Sequence, residues 1–189
     1  MFANQLWQRA TKICPTKLYR VLLILAVTAG ALLVPLRVAP AQAAVGDLTC
    51  TAVWQIDFSP ALTTSHTTSN ASMVVGLSNC MSLNGHYSKL KAGTITGSGP
   101  AQSLGGLPCS LVLTIQFKLH INWTDGQQSE LNATVNSDPS AGTLGFNGRV
   151  TGGVLAGDSV TALGPFVPNA DCLLNGLTSL VGTNQKLFS

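Results

Sequence analysis

Cys109-Ser110-Leu111-Val112-Leu113-Thr114-Ile115-Gln116-Phe117-Lys118-Leu119-His120-Ile121-Asn122-Trp123 is the stretch whose reading decides the fold. Every odd position from Cys109 to Trp123 is apolar, and the even positions are polar except Val112. A period of two sustained this long describes a strand with one face in a core and the other in water. Burying a large side chain contributes about 1.5–3 kcal/mol relative to leaving it exposed, so the odd face can organise a domain.

Two turns compete at the exit of this strand. A two-residue Asp125-Gly126 turn would place Leu131, Ala133 and Val135 on the face away from Leu119 and Phe117. A three-residue loop of Thr124, Asp125 and Gly126, with Gly126 left-handed in a G1 bulge, sets Leu119 opposite Leu131, Phe117 opposite Ala133 and Ile115 opposite Val135. A one-residue slip would expose a whole apolar set, which selects the three-residue loop. The same register places His120 opposite Glu130 on the wet face, with Lys118, Asn132, Gln116 and Asn122 around them.

Working outward, Leu48 to Phe58 alternates in the same way and is predicted as a strand that ends at Ser59-Pro60. Residues 61–71, rich in Thr, Ser and Asn, are predicted as a loop, and Ser72 to Cys80 as the next strand. A hairpin with Cys50 opposite Cys80 puts Trp54 opposite Gly76 and Ile56 opposite Val74, the indole filling the space over the glycine. That register pairs Cys50 with Cys80 and leaves Cys109 with Cys172. Thr94 to Thr96 reads as a short strand and Gly97 to Pro108 as a Gly/Ser/Pro loop. After a turn at Asp138 to Gly142, Leu144, Phe146, Gly148 and Val150 alternate, and Gly152-Gly153 breaks that strand. Ser159 to Leu163 is a short strand, Pro165 to Asn175 a connection, and Leu177 to Phe188 supplies the last one or two strands. No stretch carries a helical apolar period. The chain is therefore predicted to be all-β, an antiparallel β-sandwich or closed barrel with two disulfides.

The first 43 residues are excluded from that domain. Arg9, Lys12, Lys17 and Arg20 precede an almost wholly apolar run from Val21 to Val34, and Ala41-Gln42-Ala43 has the form of a signal-peptidase site. Residues 1–43 read as a cleaved secretory signal peptide, with cleavage after Ala44 as the neighbouring alternative, and residues 44–189 as a single all-β domain. Half of the ten basic residues lie in the signal and all seven acidic ones beyond it, so the +3 of the whole chain becomes −2 in the exported part. The exported part then carries no basic surplus that would suit nucleic acid or an anionic membrane. Without Cys14, the cysteines are Cys50, Cys80, Cys109 and Cys172, an even set suited to an oxidising compartment. No two are close enough in sequence for a zinc knuckle.

Several segments resemble small secreted β-rich proteins of actinobacteria. They are Phe58-Ser59-Pro60-Ala61-Leu62, Ile121 to Gln127, Gly145 to Asp158, and Cys172 to Gly182. That group has no assigned activity, so the resemblance implies an export signal and a β-rich fold, and carries over no functional residue.

Catalytic patterns are sparse. There is no Gly-x-Ser-x-Gly elbow, and Gly97-Ser98-Gly99 reads as loop composition. His66, His86 and His120 have no metal-ligand spacing, and no cofactor motif is present. Asp57, Asp125, Glu130, Asp138, Asp158 and Asp171 could cut a glycosidic bond if two met in a cleft, but several sit at turns that favour Asp for backbone reasons. Trp54 and Trp123 fall on apolar faces and read as core. The sequons at Asn70, Asn122 and Asn132 are short patterns common in a Ser/Thr-rich chain. The best polar constellation is His120 and Glu130 with Lys118 and Asn132, a candidate binding site. The functional expectation is a secreted non-enzymatic module for an extracellular or cell-envelope partner. The alternatives are a small secreted hydrolase, or a disulfide-braced inhibitor presenting the Gly97 to Pro108 loop.

Overall fold

The structure, a computed structural model, describes residues 46–189. The predicted signal peptide with its basic residues, its predicted cleavage point and Cys14 lie outside the described residues. Eight strands follow in order: β1 (Leu48–Leu62), β2 (Thr68–Met81), β3 (Gly93–Leu107), β4 (Ser110–Trp123), β5 (Gln128–Asp138), β6 (Thr143–Gly153), β7 (Ser159–Pro168) and β8 (Leu177–Phe188). A single-turn helix, α1 (Cys172–Asn175), precedes β8. Each strand pairs antiparallel with the next and β8 returns to β1, so the sheet closes as an up-and-down barrel and not as a sandwich.

Closure follows from the alternation. The odd side chains of β4 from Leu111 to Trp123 are buried, together with Leu48 to Phe58 at even positions of β1 and Leu131, Ala133 and Val135 of β5. These sets meet inside the barrel, while Thr, Ser, Asn and Gln dominate the outer face. An apolar interior with a polar wall is the reverse of a membrane-spanning barrel. The β4–β5 hairpin has the predicted register: Leu119 faces Leu131, Phe117 faces Ala133, and Ile115 faces Val135. Gly126 takes φ 88° in the connecting loop, and Gln127 closes it by accepting the Trp123 amide at 2.9 Å.

The β1–β2 register departs from expectation. Trp54 faces Val75 and Ile56 faces Met73, one residue from the predicted partners Gly76 and Val74. Beside the disulfide the predicted register holds, with Thr49 opposite Met81, but a bulge separates it from Thr51 opposite Ser78. Asn79, at φ 50°, lies in this irregularity. The extra residue turns Ala71, Met73, Val75 and Leu77 inward and leaves Val74 outside, the larger apolar set going to the core. The indole of Trp54 does pack over a glycine, but on the other neighbour: Gly182 of β8 faces it, and a Cβ there would stand 2.8 Å from Trp54 Cε2.

Three predicted loops are partly strand. β1 runs through Ser59-Pro60 to Leu62, held by Ser59 opposite Asn70 and by the Ser69 hydroxyl donating to the Pro60 carbonyl at 2.7 Å. β2 begins at Thr68, inside the predicted polar loop, because those side chains stand on the solvent wall. Gly97 to Leu107, read as loop, belongs to β3 and pairs with β2 and β4. Its glycines serve close approach: a Cβ at Gly97 or Gly99 would collide with the Lys118 or Gln116 carbonyl oxygen. β7 likewise continues through Pro165 to Pro168.

Both expected disulfides form, Cys50–Cys80 and Cys109–Cys172. The first lies at the barrel end that carries the β2–β3, β4–β5 and β6–β7 connections. The second ties the β3–β4 turn to α1 at the opposite end. Cys109 sits in that turn at φ 66°, one residue before β4 and not within it.

Candidate functional site

On the outer wall, β3 to β6 enclose a groove of about 720 Å³. Its shape begins with small residues. Ser98 faces Lys118, but the β3–β4 ladder resumes only at Ala101 opposite Ile115, leaving Gly99 and Pro100 unpaired on that side. Pro100 has no N–H to give to β4. On the floor, Ala133 of β5 faces Gly148 of β6, where a Cβ would stand 2.8 Å from Leu131 Cδ1 and 3.1 Å from Ala133 Cβ. Gly99, Ala133 and Gly148 thus line the groove between its polar borders.

Two rows of polar side chains border this floor. In one, Lys118, Asn132 and Arg149 stand side by side on β4, β5 and β6. In the other, Gln116, Thr134 and Asn147 do the same. Neighbouring strands are spaced by about 4.8 Å, so Lys118 and Arg149 flank Asn132 across roughly 10 Å. Both cations are solvent-exposed, and no ion pair joins them to an acid among the described residues.

The predicted quartet is split between two depressions. Lys118 and Asn132 line the main groove, whereas His120 and Glu130 line an adjacent hollow of about 380 Å³ with Asn122 and Gln128. His120 does face Glu130 across β4 and β5 as expected. Arg149, Asn147 and Thr134 were not singled out from sequence. The β5–β6 register that brings them in is set at the connecting turn and runs unbroken from Asp138 opposite Thr143 to Leu131 opposite Val150. A third hollow, about 550 Å³ on the outer face of β1, β2 and β8, is bordered by Val53, Val74 and Val181 around Gly76 and Gly182.

Three of the acids serve turns. Asp125 accepts the Gln127 side-chain amide at 2.7 Å and its backbone N–H at 3.1 Å, which holds the carboxyl below its usual range. Ser140 does the same for Asp138, and Asn169 with Asn175 for Asp171. Asp158 differs. Its Oδ2 is buried without a hydrogen-bond partner among the described residues, and burial, reinforced by Asp47, pushes its carboxyl up. Burial also raises the Tyr87 phenol, with Asp158 and Asp47 adding to the effect, and Asn84 Nδ2 donates to Asp47 Oδ1. Asp47 and Tyr87 were not singled out, because only the barrel's closure brings the start of β1 to the β6–β7 turn. Among the described residues no three His, Cys, Asp or Glu side chains gather where they could hold a metal ion.

Trp54 and Trp123 are both core residues at 3% exposure. The Trp123 indole N–H donates to Ser129 Oγ at 3.0 Å. Comparison with known protein families, curated proteins and solved structures finds no match.

Proposed function

We propose that this protein is a secreted, non-enzymatic β-barrel module that docks an extracellular or cell-envelope partner on its outer wall. The observation that carries this reading is the β3–β6 groove. It is a concave surface on the barrel wall, floored by small residues and bordered by cations, amides and a hydroxyl that form no catalytic pair. Its size falls in the range of ligand-binding clefts. Two disulfides bracing the two ends suit an oxidising compartment, in keeping with export.

The hydrolase alternative rests on the hollow that holds His120 and Glu130. Ser129, beside them, is unsuited as a nucleophile: it is buried and its hydroxyl is engaged by Trp123 and the Val154 carbonyl. The inhibitor alternative loses its contact loop, since Gly97 to Leu107 lies within β3, with Gly97 to Gln102 paired to β2 and Gly106 and Leu107 paired to β4.

The test is a pull-down from secretome and cell-wall fractions with wild-type protein and Thr134→Trp, which fills the groove from an outward position. The variant is expected to lose partners that the wild type retains. Identical partner sets with both proteins would remove the groove from the function.

A further inference from the structure

We propose that the groove's ligand is a linear acidic glycan, its carboxylate or phosphate groups held by Lys118 and Arg149 and its hydroxyls by the neighbouring amides. This names the ligand class for the docking site above and rests on that reading.

Charge distribution is the first argument. Beyond residue 43 the chain has five basic side chains, Lys89, Lys91, Lys118, Arg149 and Lys186, against seven acidic ones. Lys186 is inside the barrel. Of the four left at the surface, Lys118 and Arg149 share one groove on a protein whose exported part is net negative. Such local convergence selects for anions at this spot without making the whole surface sticky to them.

Row geometry supplies the second. Lys118 and Arg149 stand on either side of Asn132, so both heads can reach one oxyanion above it or hold two successive anionic groups of a chain. Arginine offers a planar fork matched to carboxylate or phosphate, and lysine a mobile point charge. The parallel row of Gln116, Thr134 and Asn147 offers uncharged donors and acceptors at one strand spacing each, suited to a run of sugar hydroxyls. Between the rows, the small residues Gly99, Ala133 and Gly148 form the floor with Pro100 beside them, and the groove's volume of about 720 Å³ admits a sugar ring.

The same features disfavour a nucleic acid. Single strands are gripped by aromatic platforms and long basic tracks, and the groove offers two cations, with its one aromatic, Phe117, buried at 2% exposure beneath the floor.

The experiment is isothermal titration of purified protein with four probes: an oligogalacturonate, a hexosyl-phosphate oligomer, a neutral glucan of similar length and a single-stranded oligonucleotide. Binding of either acidic glycan, weakening as salt rises, is expected. It should fall at least tenfold in the Lys118→Ala/Arg149→Ala variant and recover in Lys118→Arg/Arg149→Lys. The two acidic arms distinguish a uronate from a phosphodiester source. Equal binding of the neutral glucan, tighter binding of the oligonucleotide, no binding of either acidic glycan, or an unchanged affinity in the alanine variant would overturn the proposal. Both substituted positions are exposed on the wall, so thermal melts matching wild type are expected and show that the fold is retained. If Thr134→Trp loses the envelope partner while the alanine variant keeps it, the docking reading stands and the acidic-glycan assignment falls. If neither variant loses it, both fall.

Discussion

Lys186 occupies an inward position of β8 at 1% exposure, its Nζ 3.6 Å from the centroid of the Phe146 ring. Burial pushes its pKa down to about 7 from 10.5. The cation–π contact favours the charged form by about 2 kcal/mol or more in this desolvated setting, against a desolvation cost of several kcal/mol. No titratable group faces Lys186 from the packed strands: Cys50 opposite it is disulfide-bonded, and Phe146 pairs with Ala162. Because the folded pKa lies below the unfolded one, the unfolded chain binds more protons between pH 7 and 10.5. Stability therefore rises with pH across that window by up to about 1.4 kcal/mol per unit, and the full penalty is present below it. Lys186→Met should be more stable than wild type by a few kcal/mol at pH 7 and should lose that slope. Urea midpoints at pH 7 and pH 9 measure this, and equal slopes in the two proteins would contradict it. Leu180, Gly182, Asn184, Lys186 and Phe188 share one parity. With a charge, an amide and a glycine among them, alternation alone does not mark the set as interior.

At the scale of elements, the hairpin loop and the glycine-rich strand teach opposite lessons. The β4–β5 register was legible because both strands alternate cleanly and a slip would expose an entire apolar face. Gly126 is the residue that permits it, at φ 88° with open space around its Cα. Gly126→Ala should destabilise by about 1 kcal/mol through backbone strain alone. A thermal melt unchanged by the substitution would show that the loop does not need the left-handed residue. β3 was illegible for the complementary reason. Gly97, Gly99 and Pro100 read locally as turn residues, yet Gly97 and Gly99 lie where β4 approaches too closely for a side chain, and Pro100 falls at a step where the β3–β4 ladder is interrupted. The β1–β2 slip has a similar origin: Asn79 adds a residue beside the disulfide, and an asparagine in a polar stretch does not announce a bulge.

For the whole molecule, closure and the two disulfides act together. Cys50–Cys80 closes a loop of sequence separation 30 and Cys109–Cys172 one of 63. In the loop-entropy account each contributes about 4 kcal/mol by restricting the unfolded chain. Cys109→Ser/Cys172→Ser should therefore lower the unfolding free energy by about 4 kcal/mol, read from denaturant midpoints of proteins with the other bridge intact. A change below about 1 kcal/mol would show that closure of the sheet already holds that end.

What the sequence by itself determined is whatever alternation encodes: the all-β class, the inward face of β4, the hairpin that follows it, the cysteine pairs and the core tryptophans. The groove, with Arg149 and Asn147 joining Lys118 and Asn132, the interior Lys186, and the meeting of Asp47, Asp158 and Tyr87 were decided only by the tertiary structure. The reason is physical. Period-two burial is a property of a strand and its immediate partner, whereas a depression on a barrel wall depends on where several strands' smallest residues fall side by side, and turns and bulges set that register.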